Sequence, residues 1–311
     1  MADTIIVIIG VVVVLATFVD MILTVLAVSA GHGLVSQTIC RIVWSTLRVV
    51  HRRRPELRIL SAAGPLVLIL VPVAWGFLFL FGWVLVFWPP DALAPLDPGG
   101  TIGWFDRFDH ASTLVVGGSS TTVEAGAQAW STVAGAGRFN GVALVSFGLA
   151  YALPVIGSVV RLRGLARNID VIGPRPHDPD NDHGAFDWDD DDWPDDFLLL
   201  LITPLVTLTQ EIKAFPIVPF FHAAQPDSAL GPNLLALQRF LDRRDRDEPQ
   251  RRLERPLQRS IDGLLEVVAH NFLLQGDDVG DAGDRPDEWR IEVLEAWCRA
   301  DVWHEAVADG S

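Results

Sequence analysis

Three long runs of apolar residues mark the parts of the chain that fit a membrane interior. They cover residues 4–28, 60–88 and about 139–160. A helix needs about 20 apolar residues to cross the roughly 30 Å hydrocarbon core of a bilayer, and each run provides that length. The pattern therefore predicts three transmembrane helices. A cleaved signal peptide ending at Val28-Ser29-Ala30 is the alternative for the first run, although the acidic Asp3 and the length of the run disfavour it.

The segment between the second and third runs has a different pattern. It begins with a short amphipathic stretch from Trp104, continues through Gly, Ser and Thr residues, and leads into the third apolar run. The amphipathic stretch is too short to cross a bilayer. Irregular backbone at membrane depth is tolerated only where it is buried in protein or lines a water-filled cavity. The order of elements therefore predicts a re-entrant pore helix and loop that form a conduit.

The remaining apolar positions predict a small helical domain over residues 197–311. Residues 197–209 are apolar but too few for a fourth span, so we expect a buried or membrane-adjacent helix there. Three further helices begin at Pro232, Pro256 and Pro286, since proline is favoured in the first turn of a helix. The apolar residues that recur at helical spacing along them are Leu234, Leu237, Leu241, Leu257, Ile261, Leu264, Val268, Phe272, Trp289, Val293, Trp297 and Ala300, with His304 on the same stripe.

Arginine clusters give the predicted orientation in the membrane. Six arginines lie between the first two runs and three follow the third: Arg41, Arg48, Arg52, Arg53, Arg54, Arg58, Arg161, Arg163 and Arg167. Loops rich in Lys and Arg stay on the cytoplasmic side. The clusters predict a multi-pass protein of the plasma membrane, with the N terminus outside and the C-terminal domain in the cytoplasm.

The first arginine-rich segment, residues 33–59, also has helical periodicity. Its apolar residues at helical spacing are Ile39, Ile42, Val43, Leu47 and Val50. This pattern predicts an amphipathic helix on the cytoplasmic lipid surface. A plain loop held inside by its positive charge would give the same topology.

Composition and charge narrow the classes of function. With 311 residues, 50% hydrophobic content and a mean hydropathy of +0.31, the chain is too apolar for an ordinary soluble protein. Residues 162–311 carry 15 basic and 31 acidic side chains, a net charge of −16, and Asp outnumbers Glu by 29 to 10 in the whole chain. Such a tail is typical of a very salty cytoplasm, although a GC-rich genome would also explain it. The negative charge disfavours nucleic-acid binding.

No metal site or disulfide framework is predicted. Cys40 and Cys298 lie far apart in sequence and have no metal-ligand spacing. The acidic linker, residues 166–196, has aspartates at alternate positions from Asp178 to Asp182, as in a calcium loop, but its glycine at Gly184 comes one residue late. We therefore expect a disordered, solvating linker there.

One stretch resembles the selectivity filter of the potassium-channel superfamily. It reads Ser112-Thr113-Leu114-Val115-Val116-Gly117-Gly118-Ser119-Ser120, where the family has Thr-x-Thr-Thr-Val-Gly-Tyr-Gly-Asp. Gly137-Arg138 is similar to the start of the family's inner helix, Gly148 lies where the family has a hinge glycine, and Tyr151–Val155 resembles its helix exit. The resemblance covers residues 60–165 and is greatest to the prokaryotic branch with a small helical tail.

The resemblance implies a homotetramer in the lipid bilayer, in which four copies of the loop surround one axis. Potassium or another monovalent cation would pass without any cofactor. A bend at Gly148 or Pro154 would open the cytoplasmic gate, although Pro154 is alternatively only the helix exit. The oxygens along the path would come from the backbone and hydroxyl groups of Thr113, Leu114, Val115, Val116, Gly117, Gly118, Ser119 and Ser120.

The chain departs from the family at the positions that give selectivity. If Val116-Gly117-Gly118-Ser119 occupies the filter, Gly118 replaces the aromatic residue, Ser119 replaces the second glycine, and Ser120 replaces the acidic residue. In the alternative register, Leu114-Val115-Val116-Gly117-Gly118, the first glycine is lost instead. Glycine permits the left-handed conformations that turn successive carbonyls inward. A serine forced into such a conformation costs about 1–2 kcal/mol. A pore is therefore predicted, and the identity of the permeant ion stays open.

Titratable side chains lie close to the predicted pore and within the first span. Asp106 and Asp109 on the pore helix are expected to concentrate cations at the pore mouth. His110 is either a pH-sensitive group or a packed, neutral imidazole. Asp20 in the first span is either a proton or cation site or a carboxyl group hydrogen-bonded to a neighbouring helix.

The pattern as a whole favours an all-α membrane protein. It has three transmembrane helices, a re-entrant pore helix and filter loop between the second and third, and a helical cytoplasmic tail. The predicted segments are 1–59 for the first span and basic helix, 60–165 for the pore domain, 166–196 for the linker and 197–311 for the cytoplasmic domain.

The predicted function is the pore-forming subunit of a cation channel. The alternative is a non-conducting membrane sensor or scaffold whose tail binds a partner that the sequence does not identify. An enzyme is not expected, because no nucleophile-elbow, HExxH or paired Cys/His motif occurs. The sequence also shows no voltage sensor and no dinucleotide-binding fingerprint in its tail.

Overall fold

The structure, a computed structural model, describes residues 1–26, 33–53, 60–97, 99–172, 195–223, 225–244, 254–273 and 286–301. The chain forms two compact units. The first comprises Met1–Val43 and Leu66–Pro154, and the second comprises Trp44–Pro65 and Val155–Ser311. The units divide the chain at other places than the four predicted segments, and that four-part division stays a prediction.

Helices and two short strands account for most of the described residues. In chain order they are α1 (Ala2–Leu26), α2 (Leu34–Arg53), α3 (Ala63–Val86), β1 (Leu93–Pro95), α4 (Trp104–Val116), β2 (Val123–Ala125), α5 (Gln128–Ile172), α6 (Asp195–Ala214), α7 (Leu230–Arg244), α8 (Glu254–Val268) and α9 (Pro286–Ala300). A π-helical turn, Ala269–Leu273, follows α8.

The three predicted spans are confirmed as helices of sufficient length and apolar character: α1, α3 and α5. The last of these has 45 residues, about twice the roughly 20 that a bilayer core requires. It begins before the predicted residue 139 because residues 128–138 contain three alanines, the best helix formers, and no proline. Its last described residue is Ile172.

Small residues allow close packing of α1 on α3 within the first unit. A side-chain carbon added at Gly10 would lie 2.7 Å from the carbonyl oxygen of Gly82, and one added at Gly82 would lie 2.7 Å from a methyl group of Val14. Membrane helices associate through such small residues because lipid offers no hydrophobic driving force for association. The two glycines therefore fix where α1 and α3 meet.

Asp20 of α1 is buried and hydrogen-bonded. Its Oδ2 atom accepts a hydrogen bond of 2.8 Å from the indole N–H of Trp75 in α3. Its Oδ1 atom accepts one of 3.0 Å from the backbone N–H of Val35, in the first turn of α2. Amides in the first turn of a helix have no intrahelical acceptor, so Asp20 caps α2 from another helix. The hydrogen-bonded alternative for this residue is therefore confirmed.

An antiparallel ribbon of two three-residue strands lies on either side of α4 in the chain. Leu93 pairs with Ala125 and Pro95 with Val123. The prediction of an all-α protein is therefore correct only in part: the fold is mainly helical, but it also contains these two short strands. The ribbon leaves almost no period-two pattern in the sequence, because three residues are too few to establish one.

The helices predicted for the C-terminal end are present in its described residues. α6 packs on α8, and α7 packs on α9. The predicted apolar stripes of α7, α8 and α9 are buried: Leu234, Leu237, Leu241, Leu257, Ile261, Leu264, Val268, Phe272, Trp289, Val293, Trp297 and Ala300. The ends of the linker predicted as disordered are helical, since residues 166–172 belong to α5 and residues 195–196 to α6. Residues 173–194 of the linker, His304 and the possible cleavage site after Leu26 lie outside the described residues.

The apolar residues of α2 do not form the single lipid-facing stripe that was predicted. Val43 is buried within the protein, as is the neighbouring Trp44, whereas Ile42 and Val49 are exposed. Periodicity shows that a helix has an apolar side but not whether lipid or protein covers it. In α2, other parts of the protein cover Val43 and Trp44.

Candidate functional site

The short helix predicted to begin at Trp104 is present as α4, a helix of 13 residues. At about 1.5 Å per residue it is roughly 20 Å long, too short to cross a bilayer. Its first turn is capped by Asp106, whose Oδ2 atom accepts a hydrogen bond of 2.8 Å from the backbone N–H of Gly103. A carboxylate at this end also interacts favourably with the helix dipole. Asp106, predicted as a charge at the pore mouth, thus stabilises the start of the helix.

Arg107 fixes the start of α4 to the end of α3. Its guanidinium lies over the Trp88 ring, 5.4 Å from the ring centroid. It also donates hydrogen bonds to the carbonyl oxygens of Ile102 at 3.1 Å, Gly103 at 3.0 Å and Trp88 at 3.3 Å. The arginine therefore satisfies local backbone acceptors.

The last turn of α4 packs closely on α3 and α5. Leu114 is fully buried. A side-chain carbon added at Gly137 would lie 3.2 Å from Leu114 and 3.5 Å from the indole of Trp83. One turn later on α5, a carbon added at Gly141 would overlap the Val115 carbonyl group. These two glycines let the α4 backbone lie directly against α5.

Gly117 ends α4 in a left-handed conformation, with φ of 87°. Its N–H donates to the Leu114 carbonyl oxygen at 3.3 Å, and the Gly118 N–H donates to the Thr113 carbonyl oxygen at 2.6 Å. Such bonds are typical of a helix end with a C-terminal glycine cap. The predicted filter is therefore helical from Thr113 to Val116, and only residues 117–120 of it lie outside the helix.

The loop that follows is held to α4 by one serine. The Ser120 hydroxyl donates a hydrogen bond of 2.6 Å to the Oδ2 atom of Asp109. The same hydroxyl oxygen accepts from the backbone N–H groups of Thr122 at 3.2 Å and Val123 at 3.3 Å. Asp109, the second charge predicted at the pore mouth, therefore anchors the loop to its helix.

The hydroxyl group of Thr113, which was expected on the permeation path, and that of the preceding Ser112 both bond within α4. Ser112 donates to the carbonyl oxygen of Asp109 at 2.8 Å, and Thr113 donates to that of His110 at 2.8 Å. Ser119 is exposed, as are Val116, Gly117 and Gly118. The groups that face outward at this site are therefore those of residues 116–119.

His110 is buried beside the loop anchor, and its ring lies edge-on to Phe87 with centroids 4.8 Å apart. Neither ring nitrogen has a hydrogen-bond partner among the described residues. Burial lowers the pKa of the imidazole, the positive charge of Arg138 lowers it further, and the carboxylate of Asp109 opposes the shift. The ring is therefore packed within the protein, and its lowered pKa favours the neutral imidazole.

The predicted gate residues both lie inside α5. A carbon added at Gly148 would make an ordinary 3.8 Å contact with Pro72 of α3. Pro154 does not mark a helix exit, because α5 continues for 18 residues beyond it to Ile172. A proline inside a helix removes one backbone hydrogen bond and favours a bend. The hinge itself stays a prediction.

No metal-binding cluster of three His, Cys, Asp or Glu side chains occurs in the part of the chain that the structure describes. The aspartates of the calcium-like loop are outside that part.

Comparisons with known proteins support the membrane location. No protein-family model and no solved structure matches the chain. The chain is similar to the uncharacterized membrane protein YdjJ of Bacillus subtilis (strain 168), with 28% identity over 220 residues. The match covers 70% of this chain and 62% of that relative, so the chain spans less than two thirds of the relative's length. This chain is a mainly helical membrane protein with three candidate membrane-spanning helices.

Two residues that support the loop were not singled out from the sequence. Gly141 lies four residues after Gly137, and this small-xxx-small spacing in an apolar helix is a known sign of close helix packing. Arg107 carried no such sign, because its acceptors are backbone carbonyls.

Proposed function

We propose that this chain is the pore-forming subunit of an oligomeric cation channel, in which residues 116–119 line the narrow part of the path. The observation that carries the proposal is α4. It is too short to span a bilayer, is held against α3 and α5, and ends in an exposed Gly117-Gly118-Ser119 loop. Backbone of this kind at membrane depth needs a water-filled cavity or a protein cover.

Electrostatics favour a cation at this loop. The C-terminal end of a helix carries a partial negative charge of about half an elementary charge, and α4 ends at Val116, immediately before the loop. The carbonyls of Thr113 and Leu114 are occupied by the amides of Gly118 and Gly117, whereas that of Val116 accepts no hydrogen bond among the described residues. Val116 therefore offers an oxygen to a passing ion.

The net charge of the side chains around α4 is also negative, like the partial charge at the C-terminal end of the helix. Residues 91–124 contain five acidic side chains and one basic one, Arg107. A negative field at a pore mouth raises the local concentration of cations. The proposal includes a homotetramer and an orientation with the N terminus outside. It does not include potassium selectivity, because Ser119 replaces a filter glycine.

A second candidate function, a non-conducting sensor or scaffold, is favoured by one observation. Four of the eight residues predicted for the filter are helical, and Ser120 is fixed to Asp109. That leaves few oxygens to replace the hydration shell of an ion. The two candidates differ in whether current flows.

The test is cation flux into liposomes that contain the purified full chain, with potassium and sodium as alternative permeant ions. The variant is Gly117→Val and its matched control is Gly99→Val. Both glycines are left-handed, with φ of 87° and 91°, and neither has an atom within 4 Å of an added carbon. The backbone strain is therefore similar at both sites, and only Gly117 belongs to the proposed path.

We expect flux in the wild type and in Gly99→Val, and a loss of at least about tenfold in Gly117→Val. The ratio of potassium to sodium flux reports selectivity. Equal flux through both variants would place the path elsewhere. No flux from a folded, oligomeric wild type would favour the sensor.

A further inference from the structure

The first half of α4 carries an exposed cluster of aromatic side chains: Trp104, Phe105 and Phe108. Trp104 is 58% exposed and Phe105 is 74% exposed. Phe108 contacts both of them, with its ring centroid 5.5 Å from that of Trp104 in a stacked pair and 6.4 Å from that of Phe105. Contiguous apolar patches on a protein surface mark sites that bind another protein, a ligand or a membrane. This aromatic cluster is therefore a candidate interaction surface.

The aromatic cluster occupies one side of α4, apart from the buried side of the helix. Successive residues of an α-helix are rotated by about 100° around its axis, so the three aromatic residues fall within an arc of about 100°. The buried residues of the helix, His110, Ala111 and Leu114, fall within a separate arc of similar width. The aromatic rings are therefore directed away from the side of α4 that packs on α3 and α5.

The charged residues beside the aromatic cluster are engaged with the backbone. The Asp106 carboxylate accepts a hydrogen bond from the Gly103 N–H. The Arg107 guanidinium donates three hydrogen bonds to backbone carbonyl oxygens, one of them that of Trp88. The surface that the cluster presents is therefore apolar ring. An apolar partner fits it better than one that is recognised by charge.

The aromatic cluster lies at the level where a span leaves the bilayer. α3 has 24 residues. At about 1.5 Å per residue it is roughly 36 Å long, so its end at Val86 reaches the edge of a hydrocarbon core of about 30 Å. Trp88 follows two residues later, and the guanidinium of Arg107 lies 5.4 Å from its ring centroid. Arg107 lies between Phe105 and Phe108 in sequence, so the cluster is close to the boundary between hydrocarbon and headgroups.

The size of the aromatic cluster favours lipid over a second copy of the chain. One aromatic side chain has about 150–250 Å² of surface to bury, so the three together, at their exposed fractions, offer roughly 250–400 Å². A stable interface between proteins buries about 800 Å² on each partner. Lipid requires no minimum area, and tryptophan is enriched where a membrane meets water.

We propose that the aromatic cluster anchors the start of α4 in the lipid interface, with its rings between the phospholipid headgroups and the acyl chains. The indole N–H of Trp104 donates to a phosphate or ester oxygen there, and the two phenylalanine rings lie against the acyl chains. The anchor fixes the depth of the first turn of α4 in the bilayer. It requires a bilayer but no ion current, so it does not depend on the proposed channel function.

The experiment measures which quenchers reach a fluorescent label at the aromatic cluster, with the full chain in lipid nanodiscs. The label is attached to Phe105→Cys, in a background in which Cys40 and Cys298 are replaced by alanine. The matched control is a label on Glu124→Cys, because Glu124 is also exposed, belongs to the same unit and carries a charge. The quenchers are phospholipid with a spin label near the headgroup end of its acyl chain, phospholipid with the spin label near the chain terminus, and iodide in the water.

We expect phospholipid with the spin label near the headgroup to reduce the fluorescence of the Phe105→Cys label at least about twofold, and the deeper spin label to reduce it less, since interfacial aromatic side chains lie at headgroup level. The same phospholipid should leave the control label almost unchanged. Iodide should quench the control label more strongly than the label at the cluster.

Three results would overturn the proposal. Iodide quenching as strong as in the control would show that water covers the cluster. Protection from both lipid and iodide would show that a second copy of the chain covers it. Stronger quenching by the deeper spin label would place the cluster inside the hydrocarbon core. If Phe105→Cys does not fold, Trp104→Cys is labelled instead, since Trp104 lies on the same side of α4.

Discussion

Replacing Gly141 by alanine tests the packing that supports the loop. The added carbon would lie 2.8 Å from the carbonyl carbon of Val115 and 3.2 Å from its Cα atom. Both neighbours are backbone atoms, so no side-chain rotation relieves the overlap. α4 must therefore move away from α5, and the turn that precedes Gly117 moves with it.

The size of the effect follows from a matched site on the same helix. An added methyl group in a well-packed interface costs about 1–3 kcal/mol. Gly135, also in α5, has no atom within 4 Å of an added carbon. Gly135→Ala therefore brings only the higher helix propensity of alanine, a gain of up to about 1 kcal/mol. Gly141→Ala has the same propensity gain, so the two variants should differ by the packing cost alone, about 1–3 kcal/mol in the free energy of unfolding.

Thermal unfolding of the purified protein in detergent measures this difference. We expect Gly141→Ala to unfold roughly 2–12 °C below Gly135→Ala, taking about 2–4 °C per kcal/mol for a chain of this size. The proposed cation flux should fall in Gly141→Ala alone. Equal unfolding temperatures would refute the close approach of α4 to α5, whatever the flux.

Two further predictions concern titratable groups. The pKa of His110 is lowered in the folded state, so the unfolded state binds the proton more readily, and the free energy of unfolding should fall as the pH drops below about 6.5. Between pH 7.5 and 5, the unfolding temperature should therefore decline less in His110→Phe than in the wild type. Parallel declines in the two proteins would contradict a buried neutral ring. Burial raises the pKa of Cys298 to about 12. In a Cys40→Ala background, iodoacetamide at pH 8 should therefore modify Cys298 only after denaturation, and rapid modification of the folded protein would show an accessible thiolate.

The elements that the sequence predicted are those with a strong local signal. The spans α1 and α3 follow from unbroken apolar runs, and the buried stripes of α7 to α9 follow from helical periodicity. The beginning of α4 at Trp104 was also predictable, since a glycine and an acidic first turn precede its apolar face.

The parts that the sequence did not predict depend on distant contacts. Nothing near Trp44 indicates that Phe272, more than 200 residues away, covers it. The predicted end of α4, before Thr113, came too early along the chain, since the helix continues to Val116. A resemblance aligns residues without showing which of them are helical. Val115 and Val116 have a modest preference against helix, and packing on Gly141 overrides it.

The hydrogen bonds of Asp20 bear on how the protein enters the membrane. An aspartate at the centre of a span costs about 2.5–3.5 kcal/mol on insertion scales. Asp20 lies six residues before the end of α1, so this range is an upper bound for it. The two carboxylate oxygens of Asp20 accept hydrogen bonds from donors in α2 and α3. Both of those helices are synthesised after α1. α1 alone is therefore a poorer membrane segment than its length suggests. Stable integration of the first span should wait for the second, so that the two enter the bilayer as a helical hairpin.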